Sequence, residues 1–125
     1  MEASVIFWLF VLFFLKHFAL DFLYQPPYQW KNKGSYGHLG GILHALQHAI
    51  GSFLTLLFFI DAKTSLLLAL LEFVLHYHID WAKMNINKKL NLKCDTSEGF
   101  WWLLGLDQLL HYLTYALMVF LAFLA

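Results

Sequence analysis

Residues 70–81 carry Glu72, His76 and Asp80 at successive four-residue steps within a run that is otherwise mostly apolar. Positions four apart lie on the same face of an α-helix, so this spacing predicts a helix with one polar stripe on an apolar surface. In lipid, a polar stripe faces other helices, where its groups find partners. The segment therefore predicts several membrane helices packed around a polar interior.

The whole chain has the composition of a membrane protein, because 61% of its residues are hydrophobic and 13% are charged, against about 25% charged in soluble domains. Four apolar runs approach the roughly 20 residues that cross a hydrocarbon core, and we expect helices at residues 4–24, 39–60, 64–83 and 100–124. The predicted fold is all-α, an integral membrane four-helix bundle with up-down-up-down connections. A single transmembrane domain over residues 1–125 is expected to leave no length for a separate soluble domain.

The basic residues argue against a nucleic-acid partner. All eight are lysines, and the formal net charge is zero, so no arginine cluster is present to meet phosphates. The single cysteine, Cys94, is expected to be a reduced thiol in a loop. Residues 1–4 lack the basic segment of a secretory signal, so we expect the first helix to be retained.

The lysines also predict an orientation in the membrane. The first and third loops hold lysines at positions 31, 33, 83, 88, 89 and 93, whereas the opposite side offers only Lys63. Short lysine-rich loops stay in the cytoplasm. We therefore expect loops 25–38 and 83–99 to be cytoplasmic and both termini to lie outside.

Three further pairs of ionisable residues repeat the four-residue spacing. They are His17/Asp21, His44/His48 and Asp107/His111, and each pair lies near the cytoplasmic end of its predicted helix, as His76/Asp80 does. At about 1.5 Å per residue, antiparallel helices bring all four pairs to a similar depth, one to two turns below the cytoplasmic surface. This agreement in depth predicts one shared site.

The residue types predict a metal site, since imidazole and carboxylate groups together bind zinc, iron and manganese, and helix bundles hold ions between inward-facing side chains. With Asp21, Glu72, Asp80 and Asp107 ionised and Lys16 opposing them, the net charge is −4 + 1 = −3. We expect one or two divalent ions, with zinc favoured over iron or manganese. The predicted ligands are His17, Asp21, His44, His48, His76, Asp80, Asp107 and His111. Interhelical ion pairs and hydrogen bonds among the same groups are the alternative.

A metal-bound hydroxide near the cytoplasmic surface could attack the phosphoester or other ester bond of a lipid or amphiphile. We therefore predict a metal-dependent hydrolase that contacts membrane lipid and acts on a lipid or amphiphilic substrate. Glu72 is the candidate general base, and Lys83 is expected to meet an anionic headgroup. His78 faces away from His76 and is expected to lie at the interface, and His38 is expected to cap a helix.

Three other functions would use the same residues. A membrane di-iron oxidase is suggested by the spacing of His44 and His48, although further histidine boxes are absent from the sequence. A proton or metal-ion transporter would need the polar stripe to continue to the outer face, and three of the helices turn mostly apolar beyond the site. A purely structural protein would use the polar groups only to hold the helices together.

The ordered motifs resemble those of a known family. They are His17-x-x-x-Asp21-Phe22-x-x-Gln25, His44-x-x-x-His48, His76-x-x-Ile79-Asp80-x-x-Lys83 and Asp107-Gln108-x-x-His111. The set is similar to that of small bacterial and phage membrane proteins classed as domain of unknown function 3307, over essentially the whole chain. This resemblance implies that Gln25, Lys83 and Gln108 belong to the site and that the membrane is a bacterial or phage-encoded inner membrane. It implies no particular activity. A looser likeness to membrane-bound metal-dependent hydrolases is an analogy.

Overall fold

The structure, a computed structural model, describes residues 3–123. These residues form five α-helices and one π-helical turn, and they contain no strand. The elements are α1 (Ala3–Phe18), the π turn (Ala19–Leu23), α2 (Pro27–Trp30), α3 (Leu39–Leu56), α4 (Ala62–Lys89) and α5 (Glu98–Phe123). The all-α prediction is confirmed. The predicted domain limits at residues 1 and 125, and the predicted end of the last helix at residue 124, lie outside the described residues.

Three stretches of helix in the described chain are long and apolar enough to cross a membrane, namely Ala3–Leu23, Leu39–Leu56 and Glu98–Phe123. The remaining long helix, α4, has 28 residues, which at 1.5 Å each make it about 42 Å long. Its length is sufficient, but Glu72, His76 and Asp80 interrupt its apolar run. Three of the four predicted membrane spans thus have the length and composition of a membrane-crossing helix.

The helix ends differ from the predicted ones for local reasons. Helix α4 begins at Ala62, because Asp61 accepts a hydrogen bond from the Thr64 backbone N–H at 3.0 Å. This hydrogen bond holds the pKa of the Asp61 carboxyl below its ordinary value. Helix α4 also continues six residues past the predicted end at Lys83, to Lys89, and the chain then turns at Asn91, whose φ of 50° is left-handed.

The first predicted helix, 4–24, is divided into α1 and the π turn, and the second predicted helix ends earlier than residue 60. Helix α3 stops at Leu56 rather than residue 60, because the N–H groups of Phe58 and Phe59 bond carbonyls only three residues back. The first loop contains the short helix α2, which was not predicted. Pro27 occupies its first position, where the backbone N–H that proline lacks would have no partner within the helix.

The long helices pack so that each touches two others. Helix α3 contacts α1 and α4, α5 contacts α4 and α1, and α2 packs on α3. One end of the interior is apolar and consists of Leu9, Phe13, Leu56, Leu68, Tyr115, Met118 and Val119. The other end, nearer the loops 24–38 and 90–97, buries five histidines and three aspartates, namely His17, His44, His48, His76, His111, Asp21, Asp80 and Asp107. The interior is therefore divided into an apolar half and a polar half.

Candidate metal centre

The π turn places Asp21 at the edge of the polar half. The Tyr24 backbone N–H donates to the Ala19 carbonyl at 2.7 Å, five residues back, instead of the four of an α-helix. Turns of this type widen the helix and recur at functional sites. Here the widened turn carries the carboxylate that contacts histidines from α1, α3 and α4.

The first group of possible metal ligands consists of Asp21, His44, His48 and His76, all buried. The Asp21 Oδ1 atom lies 2.8 Å from His48 Nε2, 3.0 Å from His44 Nε2 and 4.0 Å from His76 Nε2. One carboxylate oxygen thus faces three imidazoles from two helices. These four side chains offer ligand atoms that all lie within 4.8 Å of one another.

The second group consists of His76, Asp80 and His111, and it shares His76 with the first. The Asp80 Oδ2 atom lies 3.3 Å from both His76 Nε2 and His44 Nε2. The other oxygen, Asp80 Oδ1, lies 3.2 Å from His111 Nε2. The two groups are therefore adjoining halves of one cluster, built from α1 and its π turn, α3, α4 and α5.

The remaining predicted ligands, His17 and Asp107, lie at the margin of this cluster. His17 Nε2 contacts the Gln108 amide oxygen at 2.8 Å and Asp21 Oδ2 at 3.1 Å, and its Nδ1 contacts the Tyr115 hydroxyl at 3.0 Å. Both ring nitrogens of His17 are thus occupied. Asp107 Oδ1 lies 3.5 Å from His111 Nε2. The predicted convergence of the four pairs is confirmed, whereas their role as ligands stays a prediction.

Several imidazole nitrogens in the cluster lack a hydrogen bond of good geometry within residues 3–123: His44 Nε2, His48 Nδ1 and both nitrogens of His76. Two of them, His44 Nε2 and His76 Nε2, nevertheless lie 3.3 Å from Asp80 Oδ2. Two ligand atoms on one zinc ion, each bonded to the metal, lie about 3.0–3.5 Å apart. The two Asp80 separations thus match those between ligands of one metal ion, whereas the distances of Asp21 Oδ1 from His48 and His44, 2.8 and 3.0 Å, are those of hydrogen-bonded pairs. The donor set is one that divalent ions accept.

Glu72 and Lys16 form a separate ion pair towards the apolar half. Lys16 Nζ lies 2.6 Å from Glu72 Oε1, and it also donates to Ser52 Oγ at 2.8 Å and to the His48 carbonyl at 3.1 Å. The aliphatic part of Lys16 packs against Gly51, where a Cβ would lie 2.7 Å from Lys16 Cδ. The Glu72 charge is thus already balanced within the protein.

Two residues of the first loop, Lys33 and Gln29, contact the cluster although the sequence pattern did not indicate them. Lys33 is only 7% exposed, and its Nζ lies 3.3 Å from Asp80 Oδ2. Burial alone would lower the pKa of Lys33, but the Asp80, Asp21 and Asp107 carboxylates raise it above its ordinary value. Gln29 contacts His44 Nδ1 through its amide oxygen at 3.3 Å and donates to Gln47 at 3.0 Å.

The glycines at the start of α3, Gly40 and Gly41, are the sequence feature that is consistent with a close approach of this loop to the helix. A Cβ on Gly41 would lie 3.0 Å from the Lys33 Cα atom, so glycine at this position favours the close approach of the loop backbone to the helix. A small residue at the start of a helix beside a long loop is consistent with such an approach. It does not indicate which loop residue enters the site.

Other residues singled out by the sequence are placed as follows. His38 caps α3 by accepting from the Gly40 N–H at 2.9 Å, as expected. His78 is exposed and contacts the Tyr36 hydroxyl at 2.9 Å, outside the cluster as expected. Gln108 joins the cluster by donating to Asp21 and Asp107. Lys83 lies on the outer side of α4 in a groove towards α5.

The comparison with protein families agrees with the motifs. The family model "Protein of unknown function (DUF3307)" matches residues 9–125. The chain belongs to this family. No curated protein and no solved structure matches the chain, so the likeness to membrane-bound metal-dependent hydrolases has no match to support it.

Proposed function

We propose that this DUF3307 protein is an integral membrane metalloprotein whose metal centre lies near the cytoplasmic surface. The observation that carries the proposal is the convergence of buried imidazoles and carboxylates from all four long helical segments. Within residues 3–123, His44 Nε2 and both His76 nitrogens make no hydrogen bond of good geometry. Buried ionisable groups among membrane helices are costly and usually functional. A purely structural cluster would be expected to satisfy its own nitrogens.

The proposed arrangement is a four-helix bundle with up-down-up-down connections that spans the membrane. It is supported by three helical stretches with the length and composition of membrane spans and by a fourth long helix, α4. It is also supported by the large apolar side chains on the outer surface, such as Phe7, Leu54 and Leu113, each more than half exposed. The positive-inside rule then puts loops 25–38 and 83–99 in the cytoplasm and both termini outside.

The centre would hold one or two divalent ions, with zinc favoured and iron or manganese as alternatives. Asp21, His44, His48 and His76 would hold one ion, and Asp80 and His111 would complete a second position or orient the first set. When bound, such an ion supplies an activated water and polarises the bond to be broken.

Hydrolysis of an amphiphile is supported by a groove between α4 and α5, about 270 Å³ in volume. Its walls are mostly leucine, isoleucine and alanine side chains, and it also contacts Asp107 at the margin of the cluster and Lys83. An acyl chain fits such a lining, and the Lys83 ammonium complements an anionic headgroup. The groove therefore offers a lipid-like molecule a path to the cluster from within the membrane.

The proton acceptor in this proposal differs from the one expected from the sequence. Glu72 is paired with Lys16 at 2.6 Å, which makes its carboxylate a poor base. Asp107 contacts the groove, and its Oδ1 lacks a hydrogen bond within residues 3–123. Asp107 is therefore the better candidate for taking a proton from an attacking water.

The alternatives are less well supported by the geometry. The apolar half of the interior closes the path from the cluster towards the termini, which counts against a proton or metal-ion transporter. A di-iron oxidase would use the same ligands, and a visible absorption band from bound iron would favour it.

The test is the metal content of the full chain, purified in mild detergent without chelators. We expect about one or two equivalents of zinc, iron or manganese, the number that the donor set can hold. The Asp80→Asn variant should bind less. A wild-type protein that contains far less than one ion per chain, and that does not take one up when zinc is added, would contradict the proposal.

A further inference from the structure

Lys33 is a loop lysine whose ammonium group lies inside the polar half of the protein. Its side chain is buried and its Nζ contacts Asp80. Lys31, two residues earlier, is exposed, with its Nζ 5.4 Å from the centre of the Trp30 ring. Taking an ammonium group out of water costs several kcal/mol unless it is well paired. A lysine that serves only as a cytoplasmic topology signal has no reason to be buried.

The loop that carries Lys33 is fastened to α4 at several points. Asn85 Nδ2 donates to the Gly34 carbonyl at 2.9 Å, and the Gly37 N–H donates to the Tyr77 hydroxyl at 2.6 Å. The Tyr36 hydroxyl adds a contact with His78 Nε2 at 2.9 Å. These contacts, all made by the four residues that follow Lys33, hold the loop against α4 beside the Lys33–Asp80 pair.

The charges of the cluster suggest what Lys33 is for. Because Lys16 balances Glu72, the charged groups of the cluster are the Asp21, Asp80 and Asp107 carboxylates and the Lys33 ammonium. With the histidines neutral, as metal ligands are, the sum is −3 + 1 = −2. One divalent ion neutralises this charge, and a second produces an excess of +2. Asp80 Oδ2, 3.3 Å from Lys33 Nζ, also lies 3.3 Å from His44 Nε2 and His76 Nε2, so the lysine and a metal ion would share this oxygen. With two ions bound, a further anion between the lysine and the metal offsets the excess positive charge.

We propose that this anion is the phosphoryl group of the substrate, and that Lys33 binds one of its non-bridging oxygens. The inference rests on the proposed hydrolase function and narrows it to phosphoesters. Phosphoryl groups carry charge on several oxygens and are stabilised in transfer by lysine, arginine and metal cations together. A neutral carboxylic ester brings no negative charge to offset the excess that two metal ions would produce.

The reaction is a balanced hydrolysis. The oxygen of water forms a bond to phosphorus, and the bond from phosphorus to the ester oxygen breaks with its electron pair going to that oxygen. The leaving oxygen takes up one proton, and the phosphate keeps the remaining oxygen and hydrogen of the water. For a phosphomonoester, the products are an alcohol and inorganic phosphate, with no redox partner. Lys33 holds the oxygens whose negative charge grows as the new bond forms.

The test uses the full chain in detergent, loaded with Mn²⁺, and inorganic phosphate as the probe. Bound Mn²⁺ is counted by electron paramagnetic resonance, and phosphate binding is measured from broadening of the ³¹P resonance by the metal. We expect the wild type to bind phosphate. The Lys33→Met variant should bind phosphate at least about tenfold more weakly, because it loses one charge-assisted hydrogen bond. Lys33→Arg keeps the charge and should retain most of the binding. Lys31→Met is the matched control from the exposed surface and should match the wild type.

The outcomes separate the two proposals. If the wild type binds no Mn²⁺ and no zinc, both the proposed function and the role of Lys33 are overturned. If the wild type and Lys33→Met bind Mn²⁺ equally and bind phosphate with equal affinity, the role of Lys33 is overturned while the metal centre stands. If the wild type binds Mn²⁺ but no phosphate, the phosphoester inference alone is overturned. Equal Mn²⁺ binding with phosphate affinity lost in Lys33→Met and kept in Lys33→Arg supports it, and also shows that the variant is folded.

Discussion

The imidazole of His76 stacks on that of His48, with ring centroids 3.9 Å apart and planes inclined by 29°. His76 also lies 4.0 Å from the ring of His111 on its α5 side. The ring from α4 is therefore held between rings from α3 and α5, and its Nε2 lies 3.3 Å from Asp80 and 4.0 Å from Asp21. His76 is the residue that joins the two ligand groups into one centre.

Replacing His76 should therefore affect metal binding more than replacing a residue of only one group. We expect His76→Ala to bind zinc at least about tenfold more weakly, because metal-site residues typically contribute factors of this size or more. His111→Ala should lose less, since the first group keeps its four members. Competition with a chromophoric chelator measures these affinities in detergent.

The matched control is His78→Ala. His78 is on the same helix two residues away, but it is exposed and contacts Tyr36 and the Val74 carbonyl. Its removal should leave the zinc affinity unchanged. Equal losses in the His76 and His78 variants would show that the effect comes from general destabilisation of α4 and would contradict a shared ligand.

The Lys16–Glu72 pair predicts a strong non-additivity. Both side chains are buried, so removing one charge leaves the other unpaired, at a cost of about 3–5 kcal/mol. Lys16→Met and Glu72→Gln should each lower the thermal unfolding midpoint in detergent markedly. The double variant should be closer to the wild type than either single variant, because it leaves no unpaired charge.

The double variant, together with Asp107→Asn, tests the assignment of the proton acceptor. If Glu72 serves as an ion-pair partner of Lys16 and not as a base, the double variant should keep its zinc affinity and its hydrolysis of an amphiphilic phosphoester. Asp107→Asn should lose hydrolysis while keeping its stability. Activity that disappears in the double variant but persists in Asp107→Asn would reverse the two assignments.

Helix periodicity made most of the cluster predictable. Residues four apart share a helix face, and antiparallel neighbours with short connections have matching depths. These two rules are enough to place His44, His48, His76, Asp80 and His111 together, as the structure does. They also place His78 outside, because it lies two positions from His76 on a helix.

The other parts of the cluster could not be predicted from helix periodicity. The π turn around Asp21 adds one residue to a turn, and nothing in a run of apolar residues signals it. Lys33 and Gln29 enter the cluster through the path of a loop, which is set by tertiary contacts to Tyr77 and Asn85. For the same reason the charge expected from the sequence, −3, omitted the Lys33 ammonium.

The close approach of the loop to α3 can be tested at Gly41. A Cβ at this position would lie 3.0 Å from the Lys33 Cα atom, and backbone cannot move aside as a flexible side chain can. Gly41→Ala should therefore displace the loop backbone by a few tenths of an ångström and loosen the contact between Lys33 and Asp80. We expect a lower unfolding midpoint and weaker binding of inorganic phosphate to the Mn²⁺-loaded protein.

Gly105→Ala in α5 is the control, because a Cβ there meets nothing within 4 Å. Alanine is favoured over glycine in a helix by about 1 kcal/mol, so this variant should be as stable as the wild type or more so. Similar destabilisation in both variants would mean that the loop does not depend on the space at Gly41.

The proposed orientation can be tested with the native cysteine. Cys94 is free and exposed in the loop between α4 and α5, which the lysine distribution puts in the cytoplasm. In intact cells, a membrane-impermeant maleimide should not label Cys94. After the cells are made permeable it should react at once, which mass spectrometry of the purified protein would detect.

The opposite side of the membrane is reached through Lys63, which is exposed near the start of α4. In a Cys94→Ser background, Lys63→Cys should be labelled in intact cells, because α4 carries the chain from this end across the membrane to Cys94. Labelling of Cys94 but not of position 63 in intact cells would invert the orientation and put the metal centre near the outer surface. Equal labelling of both would mean that α4 does not cross the membrane, and the four-span arrangement would be wrong.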